Sequence, residues 1–301
     1  MTIIQLEYLL AIVNCGSFSQ ASERCFVTQP SLSMQIKNLE EELGVMLLDR
    51  TKKPIVPTQA GEVVVARARE ALLAYDRIKE SVAELQGSVD GHIKLGVIPT
   101  IAPYLLPRFL GEFAERFPKV ELEIKEMTTP QIIEAMRHDE LDAAILAGGT
   151  CPEDITEQEL FSDRFYVYAS PLHPLYERHN VRIEDIDHRD LLLLSDGHCL
   201  RDQILELCGT SRRAGAPYYF ESGSLETLMR VVDVTSAITI VPEMAVEYIS
   251  EDRRDRIKPL AKGATSRKIA IAVRRTYAKN SIITALREVI LSTAPAVNTL
   301  A

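Results

Sequence analysis

Apolar residues recur at the helical period along the first part of the chain. One face of a first predicted helix carries Leu6, Leu9, Leu10 and Val13. Gly16 ends that helix, and Ser17 can cap a second one from Phe18 to Arg24. The pattern therefore predicts two short amphipathic helices that join at a tight turn.

A third helix is predicted from the cap region at Thr28 to about Leu43, with Pro30 in its tolerant first turn. Its apolar positions are Leu32, Ile36, Leu39 and Leu43. Its polar positions, which we expect to be exposed, are Gln29, Ser31, Ser33, Gln35 and Lys37. A helix whose beginning carries small polar groups suits entry into the major groove of DNA. Gly44 ends the helix, and residues 50–54, which include Arg50, predict a basic, hairpin-like wing that reaches phosphates.

One long helix is predicted from Thr58 to about Gln86. Heptad positions a and d are filled by Ala68, Ala71, Tyr75, Ile78, Val82 and Leu85. Such a seam can pair two copies of the chain or pack on the chain's own body. Because a DNA-binding protein with one recognition helix usually forms dimers, pairing of two copies through this seam is favoured.

Strands and helices alternate after a predicted hinge at residues 87–91. This alternation predicts a parallel α/β sheet. The predicted strands are at 92–98, 120–125 and 141–146, and the predicted helices are at 104–116 and 131–137. A second α/β unit begins near Phe165, and a late strand at 269–273 and helix at 281–291 return to the first unit. The predicted divisions are 1–58, 59–87, 88–163 with 269–301, and 164–268.

Net charge does not favour simple electrostatic binding to nucleic acid. The 301 residues carry a formal charge of −9, and residues 1–90 hold nine basic against twelve acidic residues. DNA binding must therefore come from a local arrangement. The start of the chain shows no signal peptide, and no apolar run reaches transmembrane length. We expect a cytoplasmic protein with no membrane partner.

The five cysteines are odd in number and irregularly spaced, unlike a secreted disulfide framework. Cys15, Cys25 and Cys151 are expected to be core or bystander residues. Cys199 and Cys208 are different, because they stand at opposite ends of one short predicted helix. Ser195 or Asp196 can cap its start, and Gly209 can end it.

The two ends of that helix make the two thiols chemically unequal. Cys199 lies in the first turn, where free N–H groups and the helix dipole favour a thiolate, and His198 and Arg201 add cationic character. At the other end the dipole favours the neutral thiol of Cys208. Nine helical residues separate the Cα atoms by roughly 13 Å, whereas a disulfide needs them within about 7 Å. A disulfide between the two cysteines would therefore require the helix to unwind. The alternative is that Cys199 and Cys208 are both buried, unreactive thiols.

Threonines follow two of the predicted strands: Thr100 follows the first, and Thr128 and Thr129 follow the second. With His198 beside Cys199, such hydroxyls could hold a peroxide while sulfur attacks it. The alternative is that the threonines cap helices and His198 faces solvent. The cysteines and histidines lack zinc-ligand spacing, so no metal and no cofactor are predicted.

Several motifs in the first sixty residues resemble the winged helix-turn-helix of LysR-type transcriptional regulators. They are Phe18-Ser-Gln-Ala-Ser, Thr28-Gln-Pro-Ser-Leu-Ser, Leu39-Glu-Glu-Glu-Leu-Gly, Leu47-Leu-Asp-Arg and Pro57-Thr-Gln-Ala-Gly. The resemblance implies that Gln29, Pro30, Ser31, Ser33 and Arg50 face DNA. It also implies a linker helix that forms dimers and a two-lobed α/β regulatory domain like periplasmic binding proteins.

Three further stretches resemble the peroxide-sensing branch of that family. They begin at Gly96, Asp196 and Ser224 and read GVIPTIAPYLLP, DGHCLRDQ and SLETL. This resemblance implies Cys199 as the peroxide-reactive cysteine, Cys208 as its resolving partner, and Thr100, Thr129 and His198 as peroxide contacts. Either Arg267 or Lys268 could be the basic residue expected near Cys199. The chain departs from the pattern at residues 232–236, where a glycine-containing turn is usual.

The sequence thus predicts a regulator that binds double-stranded promoter DNA and RNA polymerase as a homodimer or homotetramer. Hydrogen peroxide is the expected signal and a cellular dithiol the expected reductant. One alternative is a LysR-type regulator that binds a small-molecule effector between its lobes, with incidental cysteines. An enzyme is disfavoured, because the predicted DNA-binding domain would have no role in a thiol peroxidase.

Overall fold

The structure, a computed structural model, describes residues 1–85, 89–209, 220, 222–261, 266–275 and 280–294. The chain divides into two compact units. The first comprises Met1–Ser88 with Thr276–Ser281, and the second comprises Val89–Arg275 with Ile282–Ala301. None of the helices within the described ranges is both long enough and apolar enough to cross a membrane.

The first unit is a helical domain with a two-stranded wing, as the sequence predicts. Its elements are helices α1 (Ile3–Cys15), α2 (Phe18–Arg24) and α3 (Gln29–Leu43), strands β1 (Leu48–Asp49) and β2 (Val56–Pro57), and helix α4 (Gln59–Leu85). The two strands pair antiparallel, with Leu48 opposite Pro57, so residues 50–55 form the tip of the wing. Gly16 ends α1 with φ +64°, a conformation that favours glycine.

The core of this unit is formed by the predicted apolar faces of α1 and α3. Leu9, Ile12, Leu32, Ile36 and Leu39 are fully buried. Leu43, however, is 37% exposed, which corrects the predicted burial. The fourth inward position of α3 is taken by Glu40, because it lies four residues after Ile36 on the same helical face.

Helix α4 buries only the beginning of its predicted heptad seam. Ala68 packs with Leu6 and Leu10 in a small second cluster. The remaining seam positions whose side chains are described are exposed: Ala71, Tyr75, Ile78 and Val82. The side chain of Leu85 and residues 86–88, where the hinge and the predicted domain boundary fall, lie outside the described residues.

The second unit alternates strands and helices around one continuous sheet. Its elements are β3 (Gly91–Val97), α5 (Ala102–Arg116), β4 (Val120–Glu126), α6 (Thr129–Arg137), β5 (Ala143–Ala147), β6 (Ile155–Ala169), β7 (Leu191–Leu192), α7 (Cys199–Leu207), α8 (Leu225–Asp233), β8 (Ile238–Pro242), α9 (Glu243–Val246), β9 (Ile257–Pro259), β10 (Ser266–Arg274) and α10 (Asn280–Thr293). The sheet order is β4-β3-β5-β10-β6-β8-β7, with β9 paired to β6.

Two long strands cross between the lobes of this unit. The first part of β6 pairs with β10, and from Phe165 onward it pairs with β8 and β9. The predicted parallel pairing is confirmed for β3, β4 and β5, whereas β10 is antiparallel to both β5 and β6. Only a short loop, with no crossover helix, joins β5 to β6, and the return strand β10 lies between them.

Candidate functional site

The start of α3 presents most of the residues predicted to face DNA. Thr28 caps the helix, and its hydroxyl oxygen accepts from the Ser31 backbone N–H at 3.4 Å. Gln29 and Pro30 follow it, and all four residues are exposed. The polar beginning of the helix is therefore open to a partner, as a major-groove reader requires.

Two of the predicted DNA-facing residues are less open than expected. Ser33 and Gln35 are half-buried. The Gln35 side-chain oxygen accepts from Gln5 Nε2 at 3.2 Å, so Gln35 also joins α3 to α1. Exposed positions further along α3 belong to Lys37, which pairs with Glu41 at 3.5 Å, and to Met34. Met34 was not among the residues predicted to face DNA, because that prediction considered polar side chains. Its position four residues after Pro30 places it on the same face of α3.

Arg50 in the wing is held by a buried carboxylate of α3. Its Nη2 donates to Glu40 Oε2 at 2.8 Å, and its guanidinium lies over the Phe18 ring at 5.2 Å. The other Glu40 oxygen accepts from the backbone N–H groups of Leu47 and Leu48 at 2.8 and 3.3 Å. Glu40, the first of three consecutive glutamates, thus anchors the wing to α3.

Helix α7 separates the two predicted redox cysteines as the sequence expects. Cys199 is its first residue and is buried, and Cys208 is half-buried directly after its last residue. Gly209 then ends the helix with φ +65°. The predicted N-cap residues, Ser195 and Asp196, are wrong. The N-cap position belongs to His198, whose side chain makes no cap hydrogen bond. Asp196 instead pairs with Arg201 at 2.9 Å.

His198 does not supply the predicted cationic character. Its side chain is 6% exposed, and burial lowers its pKa below the ordinary value, so the imidazole is neutral at pH 7. The charge of Arg201 is partly balanced by Asp196, and its Nη1 donates to the Leu194 carbonyl at 3.1 Å. The surroundings of Cys199 are consequently less positive than the sequence indicates.

A narrow cleft brings most of the predicted peroxide contacts together. The space between its walls, about 150 Å³, is partly open to solvent, and its lining includes Ile98, Thr100, Thr128, Thr129, His198 and Cys199. Thr100 and the Thr128–Thr129 pair follow neighbouring parallel strands of the first lobe, whose carboxyl ends share one edge of the sheet. Gly197, with φ +88°, carries the chain to His198 and Cys199 on the opposite side. Cys208 is not among the lining residues.

The three threonines of the cleft have different bonding states. Thr128 serves as the N-cap of α6 and its hydroxyl donates to Gln131 Oε1 at 2.9 Å. Thr129 is 7% exposed, and among the described residues its hydroxyl has no hydrogen-bond partner. The Thr100 hydroxyl accepts from Arg267 Nη1 at 2.9 Å. A buried hydroxyl without a partner is costly, so Thr129 suits a small polar ligand in the cleft.

The structure distinguishes the two basic residues proposed to lie near the cleft. Arg267 is buried at 2% exposure and reaches Thr100 through both its hydroxyl and its carbonyl, at 2.9 and 3.2 Å. Lys268 points away, because its exposed ammonium pairs with Glu159 at 2.8 Å. Arg267 is therefore the basic residue connected to the cleft.

The other cysteines lack features of a reactive thiol. Burial and the neighbouring Glu157 raise the pKa of Cys151 to about 12. Burial also raises the pKa values of Cys25 and Cys208 above their ordinary values. Because the thiolate is the nucleophile, all three remain thiols at neutral pH. For Cys208 this agrees with the expectation of a neutral resolving thiol.

Family models match both units. The model of the lysR family of bacterial regulatory helix-turn-helix proteins matches residues 3–62. The model of the LysR substrate binding domain matches residues 86–295. The chain therefore belongs to the LysR family of transcriptional regulators, which has a DNA-binding helix-turn-helix followed by a two-lobed α/β regulatory domain.

Within that family the chain is similar to the proteins called OxyR. The hydrogen peroxide-inducible genes activator of Dickeya chrysanthemi is 38% identical over 278 residues, covering 91% of this chain and 90% of the relative. The DNA-binding transcriptional dual regulator OxyR of Escherichia coli K12 is 38% identical over 257 residues, covering 85% and 83%. The full-length structure of a cysteine-to-aspartate OxyR variant from Pseudomonas aeruginosa has a TM-score of 0.79 and 32% identity, covering 98% of this chain and 96% of that one.

Proposed function

We propose that the chain is a peroxide-responsive transcription regulator that a reversible Cys199–Cys208 disulfide switches. The observation that carries the proposal is the cleft, which gathers a buried cysteine, a neutral histidine and an unpartnered threonine hydroxyl around a very small space. Further support comes from relatives that are named hydrogen peroxide-inducible genes activators.

The size of the cleft favours peroxide over a metabolite. Sites for metabolite-sized ligands enclose roughly 300 Å³ or more, whereas the residues of this cleft leave no room for a ligand of that size. Its lining offers hydroxyl and imidazole groups. Among the described residues that line the cleft there is no free cation for an organic anion, and the nearby Arg267 is already paired with Asp163 at 2.9 Å. The alternative regulator, which binds a small-molecule effector, is therefore the weaker hypothesis.

The first chemical step forms one bond to sulfur and breaks the peroxide bond. The Cys199 thiolate attacks one peroxide oxygen, the O–O bond breaks, and hydroxide leaves with the bonding electrons and takes a proton to become water. Cysteine is oxidised to a sulfenic acid as the leaving oxygen is reduced. We propose that the hydroxyls of Thr100 and Thr129 donate to the peroxide, while neutral His198 can donate or accept.

The second step couples the chemistry to a change of fold. The Cys208 sulfur attacks the sulfenic sulfur, its proton joins the departing hydroxide, and a disulfide and water result. Since α7 holds the Cα atoms roughly 13 Å apart, that bond requires the helix to unwind. A cellular dithiol reverses the step by thiol–disulfide exchange, in which its two thiols become a disulfide.

We propose that the disulfide changes how the protein binds promoter DNA. We assign Thr28, Gln29, Pro30 and Ser31 to the groove-facing surface, with Ser33, Gln35, Lys37 and Arg50 around it. The exposed seam on α4 supports a homodimer, which a homotetramer could extend, and RNA polymerase is the proposed partner of the DNA-bound form. We propose that the oxidation serves as a signal and not as catalysis, because the first unit is a DNA-binding helix-turn-helix.

Peptide mapping by mass spectrometry tests the proposal directly. The reduced full chain is treated briefly with equimolar hydrogen peroxide, quenched by alkylation and digested. We expect a peptide linked through Cys199 and Cys208 to form within seconds. Cys151 is the internal control, because it should remain a free thiol during the treatment and be recovered in alkylated form. Thiols that remain free would overturn the switch. A thermal shift of several degrees with a metabolite under reducing conditions would then favour the effector-binding regulator.

A further inference from the structure

A buried ion pair joins the two strands that cross between the lobes. Asp163 on β6 and Arg267 on β10 are opposite each other in the antiparallel register. The Arg267 Nε and Nη2 atoms donate to Asp163 Oδ2 at 3.0 and 2.9 Å. Neither side chain has any solvent exposure, so the two charges depend on each other.

The same ion pair reaches into both lobes. On one side, Arg267 donates to the Thr100 hydroxyl and carbonyl oxygens. On the other, Asp163 Oδ1 accepts from the Met244 backbone N–H at 3.1 Å, at the beginning of α9. Asp163, which is bonded to the Met244 backbone of the second lobe, therefore fixes the guanidinium, and the guanidinium fixes Thr100 in the first lobe.

This arrangement sets the direction in which the Thr100 hydroxyl donates. A threonine hydroxyl has one hydrogen and two acceptor lone pairs. Because Arg267 Nη1 occupies a lone pair, the hydrogen is left to point to another acceptor, and Thr100 lines the cleft that contains Cys199. The leaving oxygen of a peroxide gains negative charge during sulfur attack and is such an acceptor.

We propose that Asp163 is a positioning residue for peroxide reduction at Cys199: it holds Arg267 so that the Thr100 hydroxyl donates to the leaving oxygen. The inference rests on the proposed function and deepens it. Asp163 does not contact the peroxide and does not transfer a proton. Its effect passes through Arg267 and Thr100, and without its carboxylate the guanidinium loses the partner that fixes it.

The test measures the first oxidation step in the full chain. A Cys208→Ser background stops the reaction at the sulfenic acid, which dimedone traps for mass spectrometry. We expect Asp163→Asn to slow the reaction of Cys199 with hydrogen peroxide by on the order of tenfold. Alkylation of Cys199 by iodoacetamide needs no donor at a leaving oxygen, so its rate should change by less than about twofold. General loosening of the cleft would instead speed alkylation.

A second aspartate–arginine pair, in which the aspartate is half-buried, provides the control. Asp233 pairs with Arg253 at 3.0 Å in the second lobe and is not among the residues that line the cleft. Asp233→Asn should lower stability comparably but leave the peroxide rate unchanged. If Asp163→Asn does not fold, Asp163→Glu retains the charge and displaces the guanidinium, and it should also slow the peroxide reaction.

A double substitution distinguishes positioning from a purely structural effect. In a Thr100→Val background the donor is already absent, so adding Asp163→Asn should cost little further rate. Equal losses from Asp163→Asn in both backgrounds, or an unchanged peroxide rate in the folded Asp163 variants, would overturn the inference. Should the Cys208→Ser parent itself form no sulfenic acid at Cys199, the proposed function fails, and that result is separate from the behaviour of Asp163.

Discussion

Cys199 begins α7 and Cys208 directly follows its end, so an intact helix keeps the two sulfur atoms apart. Cys199→Ser removes the attacking sulfur and leaves the helix and the DNA-binding unit in place. We expect this variant to bind DNA as the reduced wild type does, with no change on adding peroxide. Gel-shift titrations with a DNA site selected from a random library by the wild type, with and without peroxide, measure this. A normal peroxide response of Cys199→Ser would exclude the mechanism.

Cys208→Ser should separate oxidation from switching. Burial raises the pKa of the Cys208 thiol, so we expect this thiol to react only after sulfenic acid has formed at Cys199. Its replacement should let Cys199 sulfenic acid accumulate without a disulfide, as dimedone trapping would detect. Cys151→Ser is the control, and it should retain the full response because the Cys151 pKa is about 12. Disulfide formation to another cysteine in Cys208→Ser would contradict the assignment.

The stability of α7 should set the reduction potential of the switch. Glu206 is exposed on this helix. Glycine there costs about 1 kcal/mol of helix stability relative to alanine. Only the reduced state contains the intact helix, so Glu206→Gly should have a potential about 20 mV more negative than Glu206→Ala. Equal potentials, measured in dithiol redox buffers, would mean that the helix persists in the oxidised state.

Sequence periodicity predicted the helices and most strands of both units because burial of one face leaves a local pattern. The grouping of Thr100, Thr129, His198 and Cys199 in one site was implied by the family resemblance and not by periodicity. Periodicity could not predict the antiparallel crossing of β6 and β10, because strand pairing depends on contacts between residues far apart in the chain. For the same reason the partnership of Asp163 with Arg267, 104 residues later, left no local signal.

Glu40 shows a different limit of sequence reasoning. Three consecutive glutamates at 40–42 indicate a solvated helix face, and composition does not distinguish among them. The spacing from Leu32 through Ile36 to Glu40 does place the first of them on the buried face. What the sequence could not show is the set of donors, from Leu47 to Arg50, that makes burial of this carboxylate favourable.

Glu40→Gln should therefore weaken both the fold of the wing and DNA binding. The carboxylate accepts three hydrogen bonds, one of them from Arg50, and loss of its charge should cost about 1.5–3 kcal/mol of unfolding free energy. Glu41→Gln is the matched control, because Glu41 is exposed and pairs with Lys37 at 3.5 Å. Urea unfolding and DNA titration of both variants measure the two effects. Glu40→Gln with wild-type stability would show that the wing is not anchored through this carboxylate.

The burial of His198 predicts how stability depends on pH. Because its pKa is lower in the folded than in the unfolded chain, the unfolded chain binds more protons between those two pKa values. The His198 contribution to stability is thus complete above the unfolded pKa of about 6.5 and is lost as pH falls toward the folded pKa. His198→Gln removes this titration and leaves the other groups unchanged. The wild type should lose more unfolding free energy than His198→Gln between pH 7.5 and pH 5, as urea titrations of the reduced proteins would measure. If the two proteins show equal losses, or if the variant loses more, the imidazole is not held neutral beside Cys199, and a charged histidine would have to be restored to the mechanism of peroxide attack.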